Sequence, residues 1–303
     1  MSQKAIEPNS LSAWTIYLKE RFPLPVYFLL SGGLVLSGSV LAYMEPFTVL
    51  TLLAFVFAMW LFATLRLMDE LKDYQKDLVA HPTRPLPRGL IKTDTVKSLI
   101  RVSMLVGLAI SGGMYWANPV AGIFALISAV WLWLMYKEFY IGESLAKRPL
   151  IYAVTHQVIL IPFCLALSMR PQVYGSMLNL KILVWAIGVL GSFFTYEVSR
   201  KLDPKAHPVL QTYLEVYGKG GSFAIVLGLF PLCLAAALMS HLEIWLLPWS
   251  VLTLLSYGLL WLSVPKGKVD KRHKLIEGFA TLSLFFHIWT PILKYWLAMQ
   301  VGE

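Results

Sequence analysis

Asp69, Asp73 and Asp77 are spaced i, i+4, i+8, which on a helix stacks three carboxylates along one face. Like charges at that spacing repel by roughly 0.2–0.5 kcal/mol per pair, a penalty that a divalent cation would remove. Mg²⁺ favours one or two carboxylates and fills its remaining positions with water and substrate phosphate oxygens. The stripe is thus half of a site for a phosphorylated ligand. It also fits a solvated helix end in which Lys72 and Lys76 neutralise the acids through i,i+3 pairs. Spacing alone does not choose.

The next residues favour a phosphate. Arg84, Arg88 and Lys92 cluster just beyond the acids, and guanidinium groups suit bidentate phosphate recognition. Pro82, Pro85 and Pro87 stiffen the loop that carries them, so the basic groups would be held in place.

These residues need elements to position them, and the chain is built of apolar helices. With 57% hydrophobic residues and a mean hydropathy of +0.65, it carries more apolar surface than a soluble fold of this size can hide. A spanning helix needs ~20 apolar residues. Such segments recur at 24–44, 47–68, 97–116, 119–136, 149–169, 178–198, 220–240, 244–264 and 276–298. The fold class is therefore all-α and integral to a membrane, with one membrane domain over residues 1–303. No removable signal peptide precedes the first span.

Short breaks (Met44-Glu45-Pro46, Ala117-Asn118-Pro119, Met169-Arg170-Pro171, Ser240-His241-Leu242-Glu243) alternate with long polar loops at 69–96, 137–148, 199–219 and 265–275. Of the 26 Lys and Arg, all but Arg170, Lys181 and Lys294 fall on the long-loop face. Basic loops stay in the cytoplasm. The N-terminus and long loops are accordingly predicted cytoplasmic and the C-terminus external, in a plasma (inner) membrane. Topology and attraction to anionic lipid account for the +9 charge, and nucleic acid is excluded as a partner because no soluble domain exists to bind it. Residues 1–23 form a cytoplasmic segment. Within it Trp14 and Tyr17 fit an interfacial helix at headgroup level, and a partly ordered tail fits as well. Cys164 and Cys233 lie in apolar segments and read as small hydrophobes.

Asp69-Glu70-x-x-Asp73-x-x-x-Asp77, followed by Pro82-x-Arg84-Pro85-x-Pro87-x-Gly89, resembles the first aspartate motif of the UbiA superfamily of intramembrane prenyltransferases. Asp69 stands where that family usually has Asn, and it still offers an oxygen ligand. The resemblance implies nine helices around a central cavity under a cap of loops, with Mg²⁺ held by Asp69, Asp73 and Asp77. It also implies a second acidic motif, which here reads Tyr196-Glu197-Val198-Ser199-Arg200-Lys201-Leu202-Asp203-Pro204. Glu197 matches the first acid of that motif. Lys201 stands i+4 from it where an acid is expected, Asp203 would point elsewhere, and Pro204 suggests that the helix has ended.

Three accounts of this departure stand. One metal is kept, and Arg200 and Lys201 neutralise the diphosphate directly; or the donor is not an ordinary diphosphate; or the segment is a basic helix end that serves topology. Tyr136 and Lys147-Arg148-Pro149-Leu150 resemble a further family segment whose lysine contacts the diphosphate, although positive-inside anchoring alone would account for them.

The function implied is transfer of an isoprenoid group from a prenyl diphosphate to a hydrophobic acceptor: aromatic, quinone-precursor or lipid. Asp69, Asp73, Asp77 and Glu197 would be catalytic, and Arg84, Lys147, Arg200 and Lys201 would bind the diphosphate. A terpene cyclase and a phosphoribosyl-type transferase acting on a polyprenyl phosphate are alternatives on the same fold. A non-catalytic transporter is the alternative of another class, and the crowding of acids on one face counts against it. His156 and His287 lie within spans, where polar groups face a cavity or a partner helix. For His156 a hydrogen-bonded packing role is favoured over acceptor binding or base catalysis.

Overall fold

The computed structural model describes residues 6–42, 46–168, 180–264 and 268–301. Met44-Glu45, Met169-Arg170-Pro171 and part of the 265–275 loop lie outside them. Among the described residues every regular element is helical: α1 (Leu11–Arg21), α2 (Leu24–Leu41), α3 (Val49–Lys72), α4 (Tyr74–Ala80), α5 (Thr93–Ala117), α6 (Pro119–Tyr136), α7 (Gly142–Ala146), α8 (Pro149–Gln157), α9 (Leu160–Ser168), α10 (Leu180–Arg200), α11 (Tyr213–Met239), α12 (Glu243–Ser256) and α13 (Arg272–Val301). Nine stretches among these residues are long and apolar enough to cross a membrane, one for each predicted span. Two compact units emerge, Met1–Gly32 with Phe47–His156 and Gly33–Pro46 with Gln157–Glu303.

In the first unit α3, α5 and α6 approach closely because small residues admit large ones. A Cβ on Gly107 of α5 would clash with the Trp60 ring of α3, and Trp60 Nε1 donates to the Ser103 carbonyl at 2.7 Å. The predicted break at Ala117-Asn118-Pro119 is a tight helical corner. Asn118 Oδ1 accepts from the Val120 and Ala121 amides at 3.0 and 3.3 Å, and Pro119 occupies the first helical position, where no N–H is needed.

The fifth span is divided. Pro162 cannot donate to the Val158 carbonyl and its ring crowds that carbonyl, so α8 stops at Gln157 and α9 restarts at Leu160. Side chains take up backbone oxygens near the break. Trp131 Nε1 donates to the Thr155 carbonyl at 2.9 Å, while Thr155 Oγ1 and His156 Nδ1 each donate to the Tyr152 carbonyl at 2.8 Å.

In the second unit α10 packs against α9, α11 and α13, with Gly188 set against Ala236 and Gly191 against Leu232 and Cys233. Small residues at such crossings let backbones approach where no hydrophobic force drives helices together. Pro291 interrupts the ladder of α13 and frees the His287 carbonyl, which accepts from Trp185 Nε1 at 3.1 Å. One residue along, Ser37 of α2 inserts itself: its Oγ donates to the Ile288 carbonyl at 2.6 Å and accepts from the Ile292 amide at 3.3 Å. A hydroxyl bridging the ladder in this way stabilises a kink. Cys164 and Cys233 are buried free thiols.

Replacing Ser37 by Ala leaves the Ile288 carbonyl without that donor in a buried setting. The expected loss is about 1–3 kcal/mol of stability, read as an earlier unfolding midpoint in detergent. Ser37→Thr, which keeps the hydroxyl, should lose less.

Candidate functional site

The three aspartates keep helical register across the junction of α3 and α4. The amides of Asp73, Asp77 and His81 donate to the carbonyls of Asp69, Asp73 and Asp77 at 2.9, 2.8 and 2.9 Å, so the predicted stripe exists. Its members differ in setting. Asp69 is half-buried, Asp73 is exposed and Asp77 is buried. Arg84 claims Asp77, with Nη1 at 2.6 and 2.7 Å from its two carboxylate oxygens.

The loop that carries Arg84 is knotted by its own backbone. Arg84 N–H donates to the His81 carbonyl, Gly89 N–H to Leu86 and Leu90 N–H to Pro85. Gly89 takes φ +76°, where a side chain would be strained, and Leu86 is buried. The prolines therefore sit in a compact loop that holds Arg84 in place. His81 lies between Asp77 and Arg84 in sequence, and burial together with the Arg84 charge pushes its imidazole pKa below the ordinary value.

The N-terminal helix reinforces this end. Ser10 caps α1, accepting from the Ala13 amide at 3.2 Å, and Ala13 and Tyr17 are buried. Tyr17 is therefore packed within the protein. Burial and the nearby Glu70 carboxylate raise its phenol above the ordinary range. Arg21 Nε meets Glu70 Oε1 at 2.6 Å, and Arg66 Nη2 reaches the same oxygen at 2.6 Å. Glu20 pairs with Arg88 at 2.9 Å, and Asn9 Oδ1 accepts from the Lys92 amide at 2.9 Å.

Sequence reasoning missed Arg21 and Glu70 as a pair. The i,i+4 spacing of Arg66 and Glu70 was the one signal available, and nothing local pointed 49 residues back to Arg21.

The close contacts of Lys72 are not acids. Its ammonium donates to the Met135 carbonyl at 3.2 Å and meets His156 Nε2 at 3.0 Å. It also lies 5.0 Å from the centre of the Tyr152 ring. His156 stacks on Tyr152, with ring centres 4.1 Å apart. Lys147 and Arg148 are exposed just beyond α7. Tyr136 is half-buried at the end of α6, where Lys137 lies over its ring at 5.2 Å.

The second constellation belongs to the second unit. Glu197 Oε2 accepts from Arg200 Nε at 2.6 Å and Oε1 from Lys201 Nζ at 2.6 Å, so one carboxylate holds both cations. Lys201 also sits 5.8 Å from the Tyr213 ring. α10 ends at Arg200. Asp203 turns elsewhere, accepting from the Lys205 amide at 2.9 Å with His273 Nε2 at 3.9 Å. His287 is buried, and its Nδ1 donates to the Ser283 carbonyl at 2.8 Å.

Among the described residues no group of three or more His, Cys, Asp or Glu is gathered for a metal ion. Asp69 and Asp73 nonetheless fit Mg²⁺, which asks for one or two carboxylates and leaves the rest to water and phosphate. Glu197 does not fit so well, because a guanidinium and an ammonium already occupy its two oxygens.

The profile of the UbiA prenyltransferase family matches residues 31–289. A solved structure described as digeranylgeranylglyceryl phosphate synthase in membranes shares the fold, with a TM-score of 0.61 and 20% identity, over 93% of this chain and 99% of that one. No curated protein matches the chain.

Removing the arginine partner of a buried carboxylate costs about 3–5 kcal/mol, so Arg84→Ala should unfold well below wild type. Asp77→Asn in the same chain should restore much of the loss, a recovery that a double-mutant cycle of unfolding midpoints measures. The depressed His81 pKa means that the unfolded chain takes up a proton first as pH falls. Its contribution to stability is therefore fully present above the unfolded value of ~6.5 and lost as pH falls from there through the folded value. A pH series of unfolding midpoints should show this slope in wild type and a weaker one in His81→Gln.

Proposed function

The chain belongs to the UbiA prenyltransferase family, and from that membership and the acid stripe of its first unit we propose that it transfers an isoprenoid group from a prenyl diphosphate to a lipophilic acceptor. It is a multi-pass membrane enzyme. Asp69 and Asp73 are the residues that would hold Mg²⁺, with Asp77 joining them as Arg84 turns to the diphosphate. When bound, the ion supplies positive charge for the leaving diphosphate.

The rest of the work falls to the chain. The allylic C–O bond breaks, its electron pair leaves with the diphosphate, and Arg84 and Lys147 add fixed positive charge there. Arg200 and Lys201 are assigned the same duty, with Glu197 orienting both. Their carboxylate partner makes this cluster a carrier of one net positive charge, and it supports the account in which one metal is kept. Apolar surroundings keep water from the allylic cation. The cation is then trapped by the acceptor, which gives up a proton.

The acceptor class is aromatic, quinone-precursor or lipid alcohol. The glyceryl phosphate product named for the solved neighbour makes a lipid alcohol the first to try. The whole chain 1–303 acts as one catalytic domain, with its N-terminus and long loops on the cytoplasmic side, the C-terminus external, and the diphosphate entering from the cytoplasm.

The single observation that carries this reading is the continuous helical register of Asp69, Asp73 and Asp77 within a chain of this family. In lipid nanodiscs, geranylgeranyl or farnesyl diphosphate with Mg²⁺ should stabilise the protein by about 2.7 kcal/mol at 100 times Kd. EDTA or Asp73→Ala should abolish the shift. Folded protein that responds to neither donor would sink the reading.

A further inference from the structure

Three charged clusters gather in the first unit, and in two of them every cation meets a carboxylate. Arg84 is matched by Asp77, and Arg21 and Arg66 share Glu70. Lys72 is different. It is half-buried at the end of α3, one residue before Asp73 and three after Asp69, yet none of its three close contacts is a carboxylate. A backbone carbonyl, an imidazole nitrogen and an aromatic face hold it. Such groups solvate an ammonium without cancelling its charge.

The cradle is held from several sides. His156 Nδ1 donates to the Tyr152 carbonyl, which sets the tautomer and leaves Nε2 with a lone pair aimed at Lys72. The Tyr152 ring stacks on the imidazole, and Phe139 meets its edge at 5.9 Å. Phe139 is the centre of a turn in which Glu138, Phe139 and Tyr140 all take left-handed backbone, φ 48°, 54° and 58°. Three non-glycine residues there are costly, and such strain persists only where surroundings enforce it. The Phe139 ring, edge-on to Trp131 at 5.5 Å and to His156, does so.

We propose that Lys72 is a phosphate-binding residue: its ammonium is parked on neutral groups beside Asp69 and Asp73 and moves onto a terminal oxygen of the donor's diphosphate. This deepens the prenyl-diphosphate reading and rests on it. The ligand chemistry is that of a diphosphate ester or free pyrophosphate. A lysine suits it because a compact, flexible point charge exchanges one oxygen ligand for another without the planar fit that a guanidinium needs. Exchange from a neutral acceptor to an anion is favourable, whereas Arg84 must first leave a carboxylate.

Binding of inorganic pyrophosphate in the presence of Mg²⁺, measured by calorimetry on the full chain in nanodiscs, tests this. Lys72→Gln keeps an N–H donor for His156 but loses the charge. It should bind pyrophosphate about tenfold more weakly or worse, with its unfolding temperature little changed. Lys72→Arg should retain most of the affinity, because charge is what counts. Pyrophosphate affinity in Lys72→Gln equal to wild type overturns the proposal. So does an equal loss in Gln and Arg variants, which would make Lys72 a tether between α3 and α8.

If the Gln variant does not fold, His156→Gln carries the test. Freed of its ring acceptor, Lys72 should bind pyrophosphate at least as tightly as before, and a marked loss counts against the proposal. Wild type that binds no pyrophosphate with Mg²⁺ would fail the diphosphate reading itself, and this assignment with it.

Discussion

In hydrocarbon a backbone carbonyl or amide released from its helix has no water to turn to, and the structure of this chain follows from meeting that demand. Proline breaks the ladders of the fifth and ninth spans, and in each case side chains come to the exposed oxygens. Trp131 serves the Thr155 carbonyl. Trp185 and Ser37 serve His287 and Ile288. The breaks are tolerated because their repair is supplied from neighbouring helices of the same unit.

The same demand, applied to charge, orders the polar end of the first unit. Glu70 is fully buried and takes two arginines, one from its own helix and one from α1. Asp77 is buried and takes Arg84. The acids whose environment requires a partner have one built in, while Asp73 is left to solvent. The stripe that looks uniform in sequence is therefore graded, from a solvent-facing carboxylate to one fully engaged. In the second unit Glu197 holds two cations on its two oxygens, so the departure at Lys201 leaves that cluster with a basic balance.

Much of this was legible in the residues. Nine spans could be read because apolar runs of about twenty residues, repeated along a chain, find their natural solvent in lipid. The Asp69–Asp77 stripe could be read because helical register survives the α3–α4 junction. The division of the fifth span was less legible. Pro162 is visible in sequence, but the stretch Pro149–Ser168 is apolar enough as a whole to read as one spanning helix. The burial of Tyr17 was not legible, because a short amphipathic pattern does not say whether its apolar side meets lipid or protein. For Lys72, spacing offered the neighbouring acids as one alternative. Its direction was set instead by a kinked helix some 84 residues away, and no local pattern reports such a contact.

Ser37 has a consequence for the order in which the chain is made. Its partners in α13 lie 251 and 255 residues downstream, so a ribosome delivers nearly all of the protein before they emerge. Arg21, by contrast, precedes Glu70 by only 49 residues and is ready when that acid appears. The acidic end can thus assemble early in synthesis, while α2 waits with an unmet hydroxyl for the last helix. A nascent chain stalled before α13 would hold its first charged cluster complete and its second unit unclosed.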